Sequence, residues 1–494
     1  MTSSSRQLGT LSKSIHSGKW MTLSMVTQKT LSLVTFFILA RLLTPADYGV
    51  IAAVLIITAV VEHFSNHGLG SALAQKQINI EPYLDAVWTI NLFKSFLVAI
   101  IIFLLAPFLS YFFKIPEAVA VFRLAGLFII LPSLSNIRQI YFFTKLDFKN
   151  IFWRDLTSQL AYSVVAIASV FVISASFWAL FLGHLARFIT AALITYWLYP
   201  SLPYISFNFK QLLPFFKYGK WIAGQDMLNY FASLIDRLLI GRFLPIDMLG
   251  FYTKARDLSS LTTSSLTSII RKVSFFAYNN VQSDLKKIQD GFIKSLDLIL
   301  IVTLPFAFLL IVEGGAIISV LLGDQWLFLV LPLKVLSVAN IFNALVSLVY
   351  PIFNSLGRPE INFRIIFFRL LISLPLLYFG IIWQQLVGVA MATGLVSILV
   401  LLYVIWESRK ILQIGIRNVI PSFLHTSIAL TPVVILALSL RPFIHSFNSN
   451  IIIFFWVLFL ALVYICGIII SGYFVSGGPR ETLFVIFKEL KNKK

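Results

Sequence analysis

The stretch FLVAIIIFLL, residues 96–105, decides the fold. It lies in a predicted span, residues 86–112, and it shows no alternation of polar and apolar residues. Strands of a membrane β-barrel alternate in this way, so the stretch argues against a barrel. A helix rises 1.5 Å per residue, and about 20 apolar residues are enough to cross a hydrocarbon core about 30 Å thick. The stretch therefore predicts a transmembrane helix.

Apolar runs of this length recur along the whole chain, which has 494 residues. The chain is 59% hydrophobic and 12% charged, and its mean hydropathy is +0.91, so water-soluble and disordered classes are excluded. The single Cys466 excludes an internal disulfide. We predict an all-α polytopic membrane protein with about 14 transmembrane helices, at approximately 20–42, 48–66, 86–112, 117–137, 155–174, 176–199, 219–243, 248–275, 295–313, 329–355, 363–384, 386–406, 419–440 and 451–474.

The basic residues predict the orientation in the membrane. The chain has 39 Lys and Arg against 20 Asp and Glu. With the predicted spans, about 26 bases fall on the side of both termini, and nine fall inside spans. The positive-inside rule then places both termini in the cytoplasm. Only four bases lie on the opposite side, which we expect to be extracytoplasmic: Arg41, Lys114, Arg242 and Arg441.

Two further expectations concern the loops and the start of the chain. The longest predicted extracytoplasmic stretch has about 15 residues, 314–328, and is itself largely apolar. The polar start, residues 1–17, leads into a span that contains Gln28 and Lys29, so we expect no cleaved signal peptide. No polar stretch is long enough to form a nucleic-acid-binding domain.

An internal repeat divides the predicted spans. Gly-Lys-Trp occurs at residues 18–20 and again at 219–221, an offset of 201, and each copy opens a set of six spans. An even number of spans gives both copies the same orientation, as in a parallel transporter repeat. We expect an N-terminal six-helix lobe at 1–205, a C-terminal six-helix lobe at 206–406, and two extra helices with a basic cytoplasmic tail at 407–494.

The first helix of each copy carries polar residues at helical spacing. Such residues in a membrane must face the bundle interior or water, so they predict a polar lumen. The stripe of the first copy includes Gln28, Lys29 and Ser32, and that of the second includes Asp226, Asn229, Tyr230, Ser233 and Arg237.

Charged residues inside the spans suggest the chemistry of the ligand. Nine bases exceed about five acids, and Arg and Lys are the usual partners of phosphate and carboxylate, so an anionic ligand is the simplest reading. The alternative is that bases near span ends snorkel to water, or that Arg237 pairs with Asp236 or Asp226. The candidates for a cationic lumen are Lys29, Arg123, Arg187, Arg237, Lys254, Arg256, Lys334 and Arg369.

Other functional signals in the chain are weak. Glu62, Asp226 and Asp236 are candidates for coupling to an ion gradient, because a carboxylate in a bilayer is costly. His63 and His67 have a spacing that metal sites use, but we favour polar packing there. No Walker sequence occurs, which argues against direct ATP drive, and we expect no cofactor and no metal.

Several segments resemble the polysaccharide-transport (Wzx-type) flippases of the multidrug/oligosaccharidyl-lipid/polysaccharide (MOP) exporter superfamily. The resemblance covers nearly the whole chain and is closest to the branch of the colanic acid exporter WzxC. The segments that carry it are Gly18-Lys19-Trp20, residues 40–49 (ARLLTPADYG), residues 68–73 (GLGSAL), residues 146–149 (LDFK) and residues 322–326 (LGDQW).

This resemblance implies two lobes around a central cavity, in the manner of MATE transporters, and alternating access. It implies export of an undecaprenyl-pyrophosphate-linked oligosaccharide across the bacterial inner membrane, for exopolysaccharide, capsule or lipopolysaccharide biosynthesis. A polysaccharide polymerase and a chain-length regulator are partners that it suggests. It identifies no functional residue by motif.

Two alternatives remain open. A lipid II flippase or another polyprenyl-lipid flippase of the same superfamily would also bind a pyrophosphate lipid. A membrane-embedded polysaccharide polymerase or ligase would be an enzyme, but it would need a large extracytoplasmic loop, and none is predicted. We therefore expect a transporter and not an enzyme.

Overall fold

In a computed structural model, the described residues are 3–65, 80–144, 147–207, 213–279, 281–282, 284–413, 416–446 and separate positions between 452 and 467. They divide into two compact units, residues 1–250 and 251–494. The predicted lobe boundaries at 205 and 406 stay predictions. The expectation of an all-helical chain is confirmed, since the described residues contain helices and no strand.

The helices of the first unit begin with a long pair joined by a tight turn. The helices that follow have between 5 and 32 residues, and 3-10 turns at Pro116–Ala118 and Ile137–Gln139 connect some of the short ones. In chain order the helices are α1 Ser3–Leu42, α2 Pro45–Ser65, α3 Glu81–Phe112, α4 Val119–Leu124, α5 Leu127–Ser133, α6 Ile140–Thr144, α7 Phe148–Val172, α8 Phe177–Leu198 and α9 Leu213–Phe243.

The boundary between the two units lies within α10, Ile246–Ser259. Helical residues also occur between 452 and 467, among them Trp456, Leu460 and Tyr464. The other helices of the second unit are α11 Leu261–Asn279, α12 Leu285–Leu322, α13 Val330–Ser347, α14 Val349–Ser355, α15 Pro359–Leu412 and α16 Ile416–Ser446.

Ten helical segments in the described part of the chain are long and apolar enough to cross a membrane. The predicted count of about 14 spans is compatible with them but stays a prediction. Two predicted spans lie in the long helix α15, whose helical geometry is interrupted at Gln384 and Gln385. The helices α9 and α11 are absent from the ten because they carry more charged and polar residues, and α10 is absent because it has only 14 residues.

Several predicted boundaries differ from the structure. The span predicted at 117–137 is broken into α4 and α5, and the one at 248–275 is broken at Ser260. The predicted 314–328 loop is wrong, because α12 continues to Leu322. The helix passes through Pro305, Gly314 and Gly315 without interruption, and it ends only at Gly323, whose φ is +94°.

The first unit packs its helices around aromatic side chains. Helix α7 runs along both α1 and α8, while α2 lies against α8 and α9. Phe128 of α5 stacks on Phe181 of α8 with ring centroids 4.8 Å apart. Close packing here also needs small residues, because a β-carbon on Gly183 of α8 would lie 2.7 Å from the β-carbon of Ala166.

The second unit has its own apolar core. Helix α13 packs between α12 and α15, and α16 packs along α12. The buried side chains of Ile299, Leu300, Leu345 and Leu348 form one cluster of this core. A smaller cluster joins Ala429 and Val433 of α16 to Trp456 and Leu460, so the last described residues also belong to this unit.

Candidate functional site

The predicted polar stripe of the first helix divides between two surroundings. The Gln28 amide donates a hydrogen bond to the Asp155 carboxylate of α7 at 2.8 Å. Thr35, about two helical turns further along α1, shares a 2.6 Å hydrogen bond with Ser163 of α7. Lys29 is half-buried and Ser32 is exposed. Gln28 thus faces a neighbouring helix of its own unit, so hydrogen bonding within the unit accounts for its polarity.

The stripe of α9 packs partly on α2. The imidazole of His63 stacks on the phenol ring of Tyr230 with centroids 3.6 Å apart and planes 6° apart. Ser233 donates to the carbonyl oxygen of Tyr230 at 2.7 Å, while Asn229 is exposed. This stack gives His63 the packing role that we favoured. His67, the other residue of that spacing, lies outside the described residues.

The acidic candidates for ion coupling have three different surroundings. Glu62 is exposed near the end of α2. Asp236 is buried in α9, and its carboxylate accepts a hydrogen bond from the backbone N–H of Arg237 at 2.8 Å. Asp226 lies in α9, but its side chain is outside the described residues. The coupling role of all three stays a prediction.

Four cationic candidates lie in the first unit. The Arg123 guanidinium of α4 is exposed, 5.4 Å from the ring centroid of Phe103, which is also exposed. Arg187 of α8 is half-buried and close enough to the phenol of Tyr162 to interact with it electrostatically. Arg237 is half-buried, and its guanidinium donates to the carbonyl oxygen of Ser233 at 3.4 Å. Lys29 is the fourth.

The other four candidates lie on helices of the second unit, and all are half-buried. Lys254 and Arg256 are on α10, where the Lys254 ammonium lies 3.6 Å from the Asp257 carboxylate. On α15, the Arg369 guanidinium donates to the amide oxygen of Asn343 at 3.2 Å. The stem of Lys334 on α13 passes 4.0 Å from the point where a β-carbon on Gly314 would lie.

Some of these bases lie near a carboxylate and others do not. Lys254 has a carboxylate nearby, whereas Arg123, Arg187 and Lys334 make no ion pair with a carboxylate among the described residues. Arg187 and Lys334 are also half-buried, so their charges are only partly hydrated. Desolvated cations of this kind favour an anion that comes within reach. The prediction of a cationic lumen stays a prediction.

Sequence reasoning missed several carboxylates that pair within a unit. Asp155 accepts from Gln28 and lies 2.7 Å from the guanidinium of Arg154. In the second unit, the buried Glu407 lies 3.3 Å from the guanidinium of Arg364. The sequence shows only that each of these carboxylates lies close to the start or end of an apolar run. This position does not identify the residue with which the carboxylate pairs.

One cavity of the second unit is almost wholly apolar. It has a volume of about 480 Å³ and lies among α12, α13, α15 and α16. Phe292, Phe342, Val404 and Phe423 line it, and Ser408 and Ser427 are its polar residues. Such a lining suits hydrocarbon and offers no charged group to a sugar or a phosphate.

Comparison with known protein families gives the identity of the chain. The family described as "Polysaccharide biosynthesis protein" matches residues 38–331, more than half of the chain. The chain belongs to the polysaccharide biosynthesis protein family. The prediction of a polysaccharide-transport relative is thereby confirmed at the level of the family.

Curated relatives of this family member agree with the match. It is 23% identical over 394 residues to the lipopolysaccharide biosynthesis protein WzxC of Escherichia coli (strain K12), covering 78% of this chain and 79% of WzxC. It is 24% identical over 366 residues to the teichuronic acid biosynthesis protein TuaB of Bacillus subtilis (strain 168), covering 72% of this chain and 74% of TuaB.

Solved structures confirm the MOP-type fold of this family member. The lipid II flippase MurJ, in an inward closed conformation, matches with a TM-score of 0.71 at 15% identity, covering 93% of this chain and 98% of MurJ. An inward-facing multidrug resistance MATE transporter of the MOP superfamily matches with a TM-score of 0.58 at 12% identity, covering 78% of this chain and 95% of the transporter. At these identities the likeness concerns the fold alone.

Proposed function

We propose that this protein is a flippase for undecaprenyl-pyrophosphate-linked oligosaccharides. It moves repeat units across the bacterial inner membrane by alternating access, for exopolysaccharide, capsule or lipopolysaccharide biosynthesis. The observation that carries the proposal is the match to WzxC over 78% of this chain, in a chain with a transporter fold. Another relative, ExoT of Rhizobium meliloti (strain 1021), is named as a succinoglycan biosynthesis transport protein and is 23% identical over 314 residues.

The half-buried bases support an anionic cargo. A pyrophosphate carries negative charges and several acceptor oxygens, which Arg and Lys bind through charge-assisted hydrogen bonds. In the proposed mechanism, Arg187 and Lys334 supply such charges, and Lys29 and Arg237 add to them. The prenyl chain stays in the hydrocarbon of the bilayer, so only the head group needs a polar path.

Transport against a concentration difference needs an energy source. We propose that a proton or cation gradient supplies it through Glu62, Asp226 or Asp236, because a carboxylate in a membrane costs free energy when charged and can take up a proton or a cation. Flipping that continues unchanged after the gradient is collapsed in sealed vesicles would remove this part of the proposal.

A second candidate cargo is lipid II or another polyprenyl lipid. The match to the MurJ fold supports this second candidate, because that protein is named a lipid II flippase. A reconstituted assay separates the two cargoes. Proteoliposomes are loaded with a fluorescent polyprenyl-pyrophosphate oligosaccharide or with fluorescent lipid II, and a membrane-impermeant quencher reports which one reaches the outer leaflet.

Replacement of the bases tests the cationic path. We expect Arg187→Ala and Lys334→Ala each to reduce the initial flipping rate about 10-fold or more, because losing a charge-assisted hydrogen bond costs about 1.5–3 kcal/mol. Arg187→Lys and Lys334→Arg should retain more activity, since they keep the charge. The matched control is Lys114→Ala, which removes an exposed charge at the end of α3.

The outcome is read from flipping rates at equal amounts of folded protein. Equal losses in all three alanine variants would contradict the cationic path, because Lys114 lies outside the predicted spans. Unchanged rates in Arg187→Ala and Lys334→Ala would contradict it as well. Deleting the gene should also make lipid-linked repeat units accumulate on the cytoplasmic side, and unchanged polymer export would contradict the flippase proposal itself.

A further inference from the structure

Two tight turns of the chain meet through glycine. The first turn, residues 43–49, consists of the link after α1 and the start of α2, and the second turn, residues 244–250, consists of the link after α9 and the start of α10. Each turn begins after the last residue of a helix, Leu42 or Phe243, and these helix ends are 201 residues apart. The next helices begin at Pro45 and Ile246, which have the same offset. The two turns are therefore equivalent positions of the predicted repeat.

The contact between the two turns is reciprocal. A β-carbon on Gly49 would lie 2.0 Å from the carbonyl oxygen of Ile246, and one on Gly250 would lie 1.9 Å from the carbonyl oxygen of Pro45. The β-carbon on Gly250 would also lie 3.1 Å from the backbone nitrogen of Gly49. Both approaches involve backbone atoms, which cannot move aside as a flexible side chain can. Only glycine at both positions permits the contact.

The end of α9 is held at the same place by the end of α3. A β-carbon on Gly241 would lie 2.5 Å from the Cε1 atom of Phe113. The Arg242 guanidinium donates to the carbonyl oxygen of Phe112 at 3.3 Å and lies 5.4 Å from the centroid of that ring. The glycine contact is thus one part of a wider closure between the first pair of helices of the second repeat and helices of the first repeat.

The predicted orientation gives this closure a direction. Arg41, Lys114 and Arg242 lie at these helix ends, and they are three of the four bases assigned to the extracytoplasmic side. Alternating access requires that a path closed at this side open again when the cargo leaves outward. The contact at Gly49 and Gly250 is made chiefly by backbone atoms and places no side chain of these two residues between the helices, so neither residue has a side chain that must repack when the contact parts.

We propose that Gly49 and Gly250 form an outer clasp, a reciprocal backbone contact that closes the extracytoplasmic end of the transport path and parts in every cycle. This inference rests on the proposed flippase function. It assigns to both glycines a conformational role that alanine cannot fill, because the first side-chain carbon would keep the clasp from closing.

Distance measurements test whether the clasp opens. In a Cys466→Ser background, spin labels are placed by Leu42→Cys and Phe243→Cys, at two exposed and equivalent helix ends. In full-length protein in lipid nanodiscs, we expect one dominant short distance. Gly49→Ala and Gly250→Ala should each move most of the signal to a second, longer distance.

Two other glycine variants serve as controls. A β-carbon on Gly394 would lie 3.8 Å from its nearest neighbour, and one on Gly315 would lie 4.0 Å from its nearest neighbour, so alanine fits at both. Gly394→Ala and Gly315→Ala should leave the distance distribution unchanged. The same distribution in Gly49→Ala, Gly250→Ala and these controls would overturn the proposal.

A second measurement leaves both glycines intact and so does not depend on how their variants fold. A bis-methanethiosulfonate linker, which forms a reducible disulfide with each thiol and releases methanesulfinate, joins the cysteines at positions 42 and 243, and lipid-linked oligosaccharide flipping is measured in proteoliposomes. We expect flipping to stop in the linked protein and to return when a reductant cleaves the linker. Full flipping by the linked protein would overturn the proposal. If the unlinked protein moves no such lipid while alanine still lengthens the distance, the proposed cargo fails and the clasp stands.

Discussion

At the scale of single residues, Arg138 joins three segments of the first unit. Its guanidinium lies 2.8 Å from the Glu81 carboxylate and 3.3 Å from that of Asp85, both on α3. Asp85 also accepts the backbone N–H of Tyr204, in the extended chain after α8. Burial lowers the pKa of Arg138, but its hydrogen bonds to the two carboxylates outweigh this effect and raise the pKa above its usual value.

Removing this guanidinium should destabilise the first unit. The side chain of Asp85 is only 5% exposed, so Arg138→Ala leaves a buried carboxylate without its cation. We expect the free energy of unfolding to fall by about 3 kcal/mol or more. Unfolding in detergent micelles with increasing denaturant, followed by tryptophan fluorescence, measures the loss.

An exposed ion pair provides the control for this variant. Lys287 pairs with Asp284 at 3.2 Å, and its side chain is 67% exposed. Lys287→Ala should change the free energy of unfolding by less than about 1 kcal/mol. A loss in Arg138→Ala as small as that in Lys287→Ala would mean that the buried carboxylate needs no cation.

Partners of this kind could not be predicted from the sequence. The spans assigned Arg138 to a cytoplasmic loop, and its carboxylates lie 53 and 57 residues away in the chain. Gln28 was predicted to be polar and inward-facing, but its bond to Asp155 spans 127 residues. Periodicity indicates which face of a helix is polar, whereas only the packing of helices decides what that face meets.

At the scale of elements, α15 is a hairpin of two packed halves. The chain turns at Gln384 and Gln385, the second of which has a φ of +48°. The halves approach at Gly380 and Gly388, where a β-carbon on Gly388 would lie 2.0 Å from the carbonyl oxygen of Gly380. The sequence predicted this turn to within a residue, because the polar glutamine pair separates two apolar runs.

The packing of this hairpin predicts the effect of one methyl group. Gly388→Ala forces the two halves apart, and we expect it to lower the free energy of unfolding by about 1–3 kcal/mol. Gly394→Ala on the same helix is the control, since its β-carbon would lie 3.8 Å from the nearest atom. Both variants are compared in the denaturant series. Equal stabilities would show that the hairpin relaxes without cost.

Helix boundaries were predicted well where the sequence contains a strong stop signal and poorly elsewhere. The first turn lies between the spans predicted at 20–42 and 48–66, and there Thr44 and Asp47 cap α2, with the Thr44 hydroxyl 2.6 Å from the Asp47 carboxylate. The end of α12 was placed too early, at 313. In the structure Glu313 lies inside the helix and is buried, and it accepts a hydrogen bond from Trp456.

At the scale of the whole molecule, the charge distribution joins fold and function. Hydropathy predicted the all-helical membrane class, which the structure confirms. Most of the bases behind the net charge of +19 set the orientation in the membrane, since about 26 of the 39 lie in predicted cytoplasmic segments. Pairs such as Arg441 with Glu313, 3.6 Å apart, reduce the number of bases left for cargo. The few half-buried bases that remain are those on which the proposed function depends.

Orientation can be measured directly because an exposed lysine lies in a segment assigned to each side. Lys114 follows α3 on the predicted extracytoplasmic side, and Lys287 lies at the start of α12 on the predicted cytoplasmic side. In a Cys466→Ser background, we expect Lys114→Cys to react with a membrane-impermeant maleimide in intact cells. Lys287→Cys should react only after the membrane is permeabilised, because the positive-inside rule keeps the base-rich side in the cytoplasm. Since both side chains are exposed, burial does not explain a failure to react. Reaction of Lys287→Cys in intact cells would invert the orientation, and the clasp of Gly49 and Gly250 would then close the cytoplasmic end.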